Sequence, residues 1–413
     1  MNDGIEKKGN RLIVRGHVRH NDLRSFCSKL YQTIERQQWS DVILDFSLCA
    51  GITEAVMLPL MPIIADYREN SVGFQLVEPN DDKLRRLFFN TNWAHYIDPD
   101  KYDRNPHEGG HVPALRFGDD ETSASGEILT KVMNLILRQL ETDRATLKAV
   151  EWALGEIMDN VVNHSQSPVG GFVQATAYEG SNRVEFVVAD AGIGIPRSMN
   201  IANHAEAIRR AIDEGVTRDK TQNAGNGLYG SYRVATLSGG QFEIHSLKGS
   251  LFCKENEGEI ENRSNFVPYC GTSVRCGINV SDPELLGKAL RFKGRSHDPP
   301  YDYIERTFEN KENELVFNVK DTAQRDTGSR QGGKRIRGMI ENLLRERRPV
   351  NIDFDGVGVI SSSFADEVFG RLFVEMGPYD FMTRIKICNA DPTVKGLIDR
   401  AIMQRTRLGN GDA

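Results

Sequence analysis

Nine residues, Glu156-Ile-Met-Asp-Asn160-Val-Val-Asn-His164, constrain this chain more than any others. Leu147, Val150, Leu154, Ile157, Met158 and Val161 recur at helical spacing, which predicts an amphipathic helix with its opposite face free. On that free face Glu156, Asn160 and His164 follow at successive i, i+4 steps, so a carboxylate, an amide and an imidazole share one side. Two strands are expected next, over 172–178 and 184–189, joined by the turn residues Glu179-Gly-Ser-Asn182. Asp190 stands where the second strand ends, in Asp190-Ala-Gly192-Ile-Gly194. A carboxylate there can accept a hydrogen bond from an exocyclic amino group, and the bare glycine backbone lets a purine approach closely. Gly225-Asn-Gly227-Leu228 then supplies a second glycine turn at the start of a helix. Each fragment alone is common. In this order, with these elements between them, they read as a nucleotide pocket.

The pattern resembles the GHKL superfamily, which covers type II topoisomerase, chaperone and mismatch-repair ATPases, sensor histidine kinases and anti-sigma-factor kinases. The matching segments are the helix from Glu156 to Asn160, the two glycine turns, and Gly271-Thr272 at the head of a strand-like run over 272–276. The resemblance implies an α/β chain whose centre, 121–280, is an α+β sandwich of two layers binding Mg-ATP under a mobile lid between Gly194 and Gly225. It implies that Asn160 holds Mg²⁺ through its amide oxygen and that Asp190 reads the adenine. Gly192, Gly194, Gly225, Gly227, Leu228 and Thr272 would line the nucleotide, with the Gly225 and Gly227 N–H groups cradling phosphates. Glu156 would orient or deprotonate the attacking water or hydroxyl. The run closing on His164 is most similar to the anti-sigma-factor kinase type, and His164 itself reads as a structural residue at the helix end. Arg218 and Lys220 in the lid are candidates for the γ-phosphate.

The rest of the sequence bounds the class. At 413 residues and 39% hydrophobic content the chain can build two or three cores. A net charge of −6 argues against general nucleic-acid affinity. The longest apolar candidate, 58–65, is broken by Pro59 and Pro62, which speaks against a membrane span. The six cysteines lack C-x-x-C spacing, and no signal-peptide core opens the chain, so a cytoplasmic protein without zinc or disulfides is expected.

Residues 314–413 read as a separate α/β unit: strands over 315–319, 349–354 and 384–388, and helices over 334–347, 364–376 and 392–403. Val350-Asn-Ile-Asp-Phe followed by the serine run Ser361–Ser363 resembles the STAS-like fold of anti-anti-sigma factors. The resemblance places the phosphoacceptor of that family at Ser362. Here Ser361 replaces the family's Asp and Phe364 its Gly, and Phe364 is expected to narrow access to the turn. The other reading of the run is helix capping, with Ser363 and Asp366 as a capping box. Upstream, Gly328-Ser-Arg-Gln-Gly-Gly-Lys-Arg335 nearly matches a phosphate loop, but Arg335 stands where the metal-binding hydroxyl belongs. Arg330, Arg335 and Arg337 are read instead as a basic patch.

Residues 1–100 suggest a degenerate STAS-like copy, because Asp41-Val-Ile-Leu-Asp-Phe46 parallels Val350–Phe354. Linkers are expected over 101–120 and 281–313. The combined expectation is a switch protein that couples ATP hydrolysis or Ser/Thr phosphotransfer to STAS-like interaction domains, recruiting a protein partner and capable of forming a homodimer. The alternative is a non-catalytic scaffold stabilised by ATP.

Overall fold

A computed structural model describes residues 4–106, 109–118, 125–215, 227–254, 257–262, 267–300, 302–323 and 326–409. The chain divides into two compact units, Met1–Val132 with Ala149–Asp298, and Met133–Lys148 with Pro299–Ala413.

The first unit contains two sheets. Its N-terminal sheet has four strands in the order Ile5–Lys8, Arg11–His17, Asp41–Gly51 and Gly73–Val77. The first pair is antiparallel and the others are parallel, joined by helical crossovers. The second sheet has seven antiparallel strands, in the order Glu257–Asn262, Gly249–Lys254, Gln241–Leu247, Tyr269–Asn279, Arg183–Asp190, Gly171–Tyr178 and His111–Phe117. That last strand falls in the stretch expected as a linker. It is an edge strand with a register shift between Val112 and Leu115, which accommodates Pro113.

Both faces of the second sheet are covered. Phe242 faces the helix Gly227–Leu237, whose Tyr232 ring meets it edge-on. On the other face Phe172 and Val187 join one apolar core with Phe46, Leu58, Phe88 and Trp93 of the N-terminal module. The helix Glu54–Glu69 packs across the strands Gly171–Tyr178 and Arg183–Asp190, and the Trp93 indole donates to Gln174 at 2.8 Å. Two buried faces explain why the strand Val184-Glu-Phe-Val-Val-Ala189 is nearly continuously apolar, where a half-solvated antiparallel strand would alternate. Each large side chain sealed at such a face contributes about 1.5–3 kcal/mol. The central domain is thus a two-layer sandwich whose open side is closed by the N-terminal module.

The second unit is built on a parallel sheet, Leu315–Asn318, Val350–Asp353 and Ile385–Cys388. Its order and crossovers repeat the three parallel strands of the N-terminal module. Helix Arg330–Leu344 carries Ile336, Met339, Ile340, Leu343 and Leu344 into the core. Asn342, also buried, donates to the carbonyls of Leu137 and Leu140 at 3.0 and 2.8 Å and accepts the Thr142 N–H at 3.0 Å. These are carbonyls that a helix end leaves without partners. Arg144 pairs with Asp302 at 2.8 Å and Glu309 at 2.7 Å. The interval 281–313, expected as a linker, therefore contributes the short helix Tyr303–Phe308 and its acidic flank to this unit.

The near-match to a phosphate loop is filled by protein. The Ser329 hydroxyl caps the helix by accepting the Gly332 N–H at 2.9 Å and donates to Asp326 at 2.5 Å. Arg335 reaches the same carboxylate at 3.4 Å, and Arg330 and Arg337 pair with Asp366 and Glu367. The expected basic patch is neutralised by its own acids.

Candidate nucleotide site

The helix predicted around Glu156 spans Arg144–Asn160, with its whole apolar stripe buried. It ends in one wider turn of π type, Val161–Ser165, closed by Gln166 in the left-handed region at φ 52°. Glu156 and Asn160 keep the i, i+4 relation and are both half-buried. His164 falls in the π turn, so the second i, i+4 step expected from sequence, from Asn160 to His164, is not taken in α geometry.

Glu156 meets the second glycine turn directly. A β-carbon at Gly227, the first residue of the helix Gly227–Leu237, would stand 2.2 Å from Glu156 Oε2. The two helices are locked nearby by Ser231, whose hydroxyl donates to the Ala153 carbonyl at 3.2 Å. Burial, with the charge of Asp159 adding to it, pushes the Glu156 carboxyl up to about 7. Leu228 is half-buried at the same helix start. Gly225, Arg218 and Lys220 lie outside the described residues. Within the expected lid the structure describes the helix His204–Ala211, capped by Asn203.

Asp190 ends its strand, only 3% exposed. Its Oδ1 accepts the Gly192 N–H at 2.8 Å, and the Thr272 N–H also reaches the carboxylate. Burial lifts this carboxyl to about 7 against the opposing pull of those two donors. Three glycines make the close approaches. A β-carbon at Gly192 would lie 2.0 Å from the Ser165 carbonyl, which also accepts the Ile193 N–H at 2.8 Å. The first glycine turn thus rests on the end of the Glu156 helix. Gly271, at φ +95°, passes so close to Asp190 that a β-carbon would lie 2.0 Å from its carbonyl oxygen. Gly194 takes φ +78° beside the Gly271 carbonyl and the Ser246 hydroxyl.

Ser246 escaped the sequence reading. It is fully buried, donates to the Gly271 carbonyl at 3.1 Å, accepts the Ile195 N–H at 2.8 Å and lies 3.1 Å from the Thr272 hydroxyl. One side chain therefore ties the first glycine turn to the Gly271-Thr272 element. Its only signal in the sequence is a serine inside the strand Gln241–Leu247, which no motif distinguishes.

Ser362 belongs to the second unit. The serine that caps its helix is Ser361, not Ser363: Ser361 Oγ accepts the Phe364 N–H at 3.0 Å and lies 2.9 Å from the Ser363 hydroxyl. Asp366, expected in a capping box, instead forms a two-pronged pair with Arg405 at 2.6 and 2.8 Å, and this holds its carboxyl below the usual range. Phe364 is fully buried, so it does not narrow access to the turn as expected. Ser362 is exposed in the first turn of the helix.

Among the described residues no cluster of three His, Cys, Asp or Glu side chains could hold a metal by itself. The amide oxygen of the half-buried Asn160 is a hard donor of the kind that suits a cation keeping water and phosphate oxygens in its shell, as Mg²⁺ does. No helix among the described residues is long and apolar enough to cross a membrane.

Comparison with known families gives two matches. Residues 146–275 match the histidine kinase-, DNA gyrase B-, and HSP90-like ATPase family, and residues 332–395 match a STAS-like domain of unknown function. No curated protein matches the chain.

Proposed function

We propose, for a chain that joins a GHKL-type ATPase domain to a STAS-like domain, that it is an ATP-driven switch whose pocket activates a nucleophile through Glu156. ATP binding and a regulatory role follow from the domain pair. The chemistry at the γ-phosphate is our reading.

The observation that carries it is the placement of Glu156. A carboxyl pushed up to about 7, lodged against the first residue of a helix, is poised to accept a proton near neutral pH. The N–H groups that open the helix at Gly227 point the positive end of its dipole toward anionic ligands. Asp190 accepts the adenine amino group through the same carboxylate that holds the Gly192 and Thr272 N–H groups. Asn160 supplies an amide oxygen to Mg²⁺, which when bound neutralises phosphate charge.

The acceptor we favour is Ser362. It is exposed at the first turn of its helix, and a phosphate there would sit at a favourable dipole end. The competing reading, hydrolysis by a conformational clamp, is favoured by Ser361, which already caps the same turn without any phosphate.

Incubation of the full chain with Mg²⁺ and γ-labelled ATP separates the two. Phosphotransfer puts label on the protein, at least tenfold less of it in Ser362→Ala (roughly the floor for losing a sole acceptor hydroxyl). Label released only as free phosphate, unchanged in Ser362→Ala, rejects phosphotransfer and leaves the clamp.

A further inference from the structure

The N-terminal module touches the pocket at two buried points. The first is Tyr269, the residue two before Gly271. Its ring is fully buried in the core shared with the N-terminal module, and its hydroxyl lies 3.1 Å from the Pro59 carbonyl and 3.4 Å from the Asp190 carbonyl. The hydroxyl has one proton for two carbonyls. Burial drives its ionisation far above the ordinary tyrosine range, so it stays a neutral donor. Pro59 belongs to the helix Glu54–Glu69, whose Pro59 and Pro62 each remove an N–H from the ladder. A helix interrupted in this way has less internal bonding to resist a pull on its carbonyls.

The second point is Arg24, also buried. Its guanidinium donates to the Leu247 carbonyl and, at 2.7 Å, to the Gly249 carbonyl. On the other side of that turn the Lys248 N–H donates to His204 Nδ1 at 3.0 Å, at the start of the described lid helix. Leu247 directly follows Ser246, the serine that ties the glycine elements together. The strand ends that build the adenine side of the pocket are therefore held from behind by the N-terminal module.

Building on the nucleotide reading above, we propose that Tyr269 is a positioning residue that fixes Asp190 and passes adenine occupancy to the helix Glu54–Glu69, making the N-terminal module a reader of the pocket. When adenine binding shifts Asp190, the shared proton shifts with it, and the change is felt at Pro59. The next N–H along the helix toward the Pro59 carbonyl belongs to Ile63, so the amides of Ile63 and Ile64 report on it.

The test uses the full chain as wild type, Tyr269→Phe and Tyr303→Phe. The last removes a buried tyrosine hydroxyl from the second unit, where it donates to Asn134 at 2.7 Å. ATP and GTP affinities are measured by competition against a fluorescent ATP analogue. Amide exchange over residues 57–64 is followed with and without ATP, and melting temperatures are recorded on the same samples. In wild type, ATP slows exchange at Ile63 and Ile64. In Tyr269→Phe that protection is lost and the ATP-over-GTP preference falls roughly tenfold, as expected for one missing buried hydrogen bond. Tyr303→Phe keeps both properties. A purely structural role for Tyr269 would weaken ATP and GTP alike and leave the preference unchanged, and that result overturns the proposal. Wild type that binds ATP with no change at Ile63 and Ile64 overturns it too. Wild type that binds no nucleotide sinks the functional reading itself, and this inference falls with it.

Discussion

Glu156→Gln is expected to lower turnover at the γ-phosphate roughly a thousandfold while leaving ATP bound, since general-base contributions run from about 10² to 10⁴. Glutamine keeps the size and the contact with Gly227 but cannot take a proton. The pH dependence gives the same residue a second signature. A carboxyl lifted to about 7 is neutral below that pH and a base above it, so the wild-type kcat rises through pH 7 and levels off. The Gln variant loses that limb. Stability moves the opposite way. Between the ordinary glutamate range and 7 the folded chain holds a proton that the unfolded chain has released, so this group favours folding at low pH and stability falls as pH rises through the window. Glu156→Gln removes that loss, and the variant is expected to melt higher than wild type at pH 8 and about equally at pH 5. A variant that turns over normally, or whose kcat still climbs through pH 7, would assign the base elsewhere.

Asp190→Asn is expected to weaken ATP binding about a hundredfold, the scale of exchanging a buried charged acceptor for a mismatched group. The Gly192 and Thr272 N–H groups both need an acceptor at this side chain. They would turn the asparagine carbonyl toward themselves and leave its NH₂ facing the adenine amino group, donor against donor. GTP, which offers a carbonyl at that position, should lose much less, so the ATP-to-GTP ratio is the quantity to measure by competition binding. Asp190 is also lifted to about 7, so wild-type ATP affinity should fall as pH drops below neutrality. That limb appears in KM, whereas the Glu156 limb appears in kcat, and the two substitutions remove them separately.

The parts of the site that were legible are those in which one residue type answers one local demand. The stripe from Leu147 to Val161 announced the Glu156 helix, and Asp190 followed by glycines announced a strand end under close approach. The strands and helices of 314–413 were legible for the same reason, since short apolar runs alternated with amphipathic ones. What sequence did not disclose depends on partners distant along the chain. Ser246 matters because Gly271 and Ile195 lie against it, and nothing adjacent to it says so. The strand His111–Phe117 carries a proline and follows a polar stretch, so it read as connection; it is tolerated because it lies at an edge. Phe364 looked like an obstruction in one dimension and proved to be core. The cap moved from Ser363 to Ser361 because Asp366 was already bound to Arg405, which local spacing does not reveal.

The second buried face of the seven-stranded sheet is a further case. The apolar continuity of Val184–Ala189 was visible but was read only as a strand. A strand apolar on both faces needs cover on both sides, and the N-terminal module supplies the second cover through Phe46, Leu58 and Trp93. Its three parallel strands follow the same order and crossovers as those of the second unit.

The most direct test is an equilibrium titration of the full chain with a non-hydrolysable ATP analogue, in Mg²⁺ and in EDTA, beside Asp190→Asn. A pocket built from Glu156, Asn160 and Asp190 predicts saturable binding of one nucleotide per chain, tightened by Mg²⁺ and lost or greatly weakened in the variant. Absence of saturable binding in wild type, or equal binding in Asp190→Asn, would contradict it.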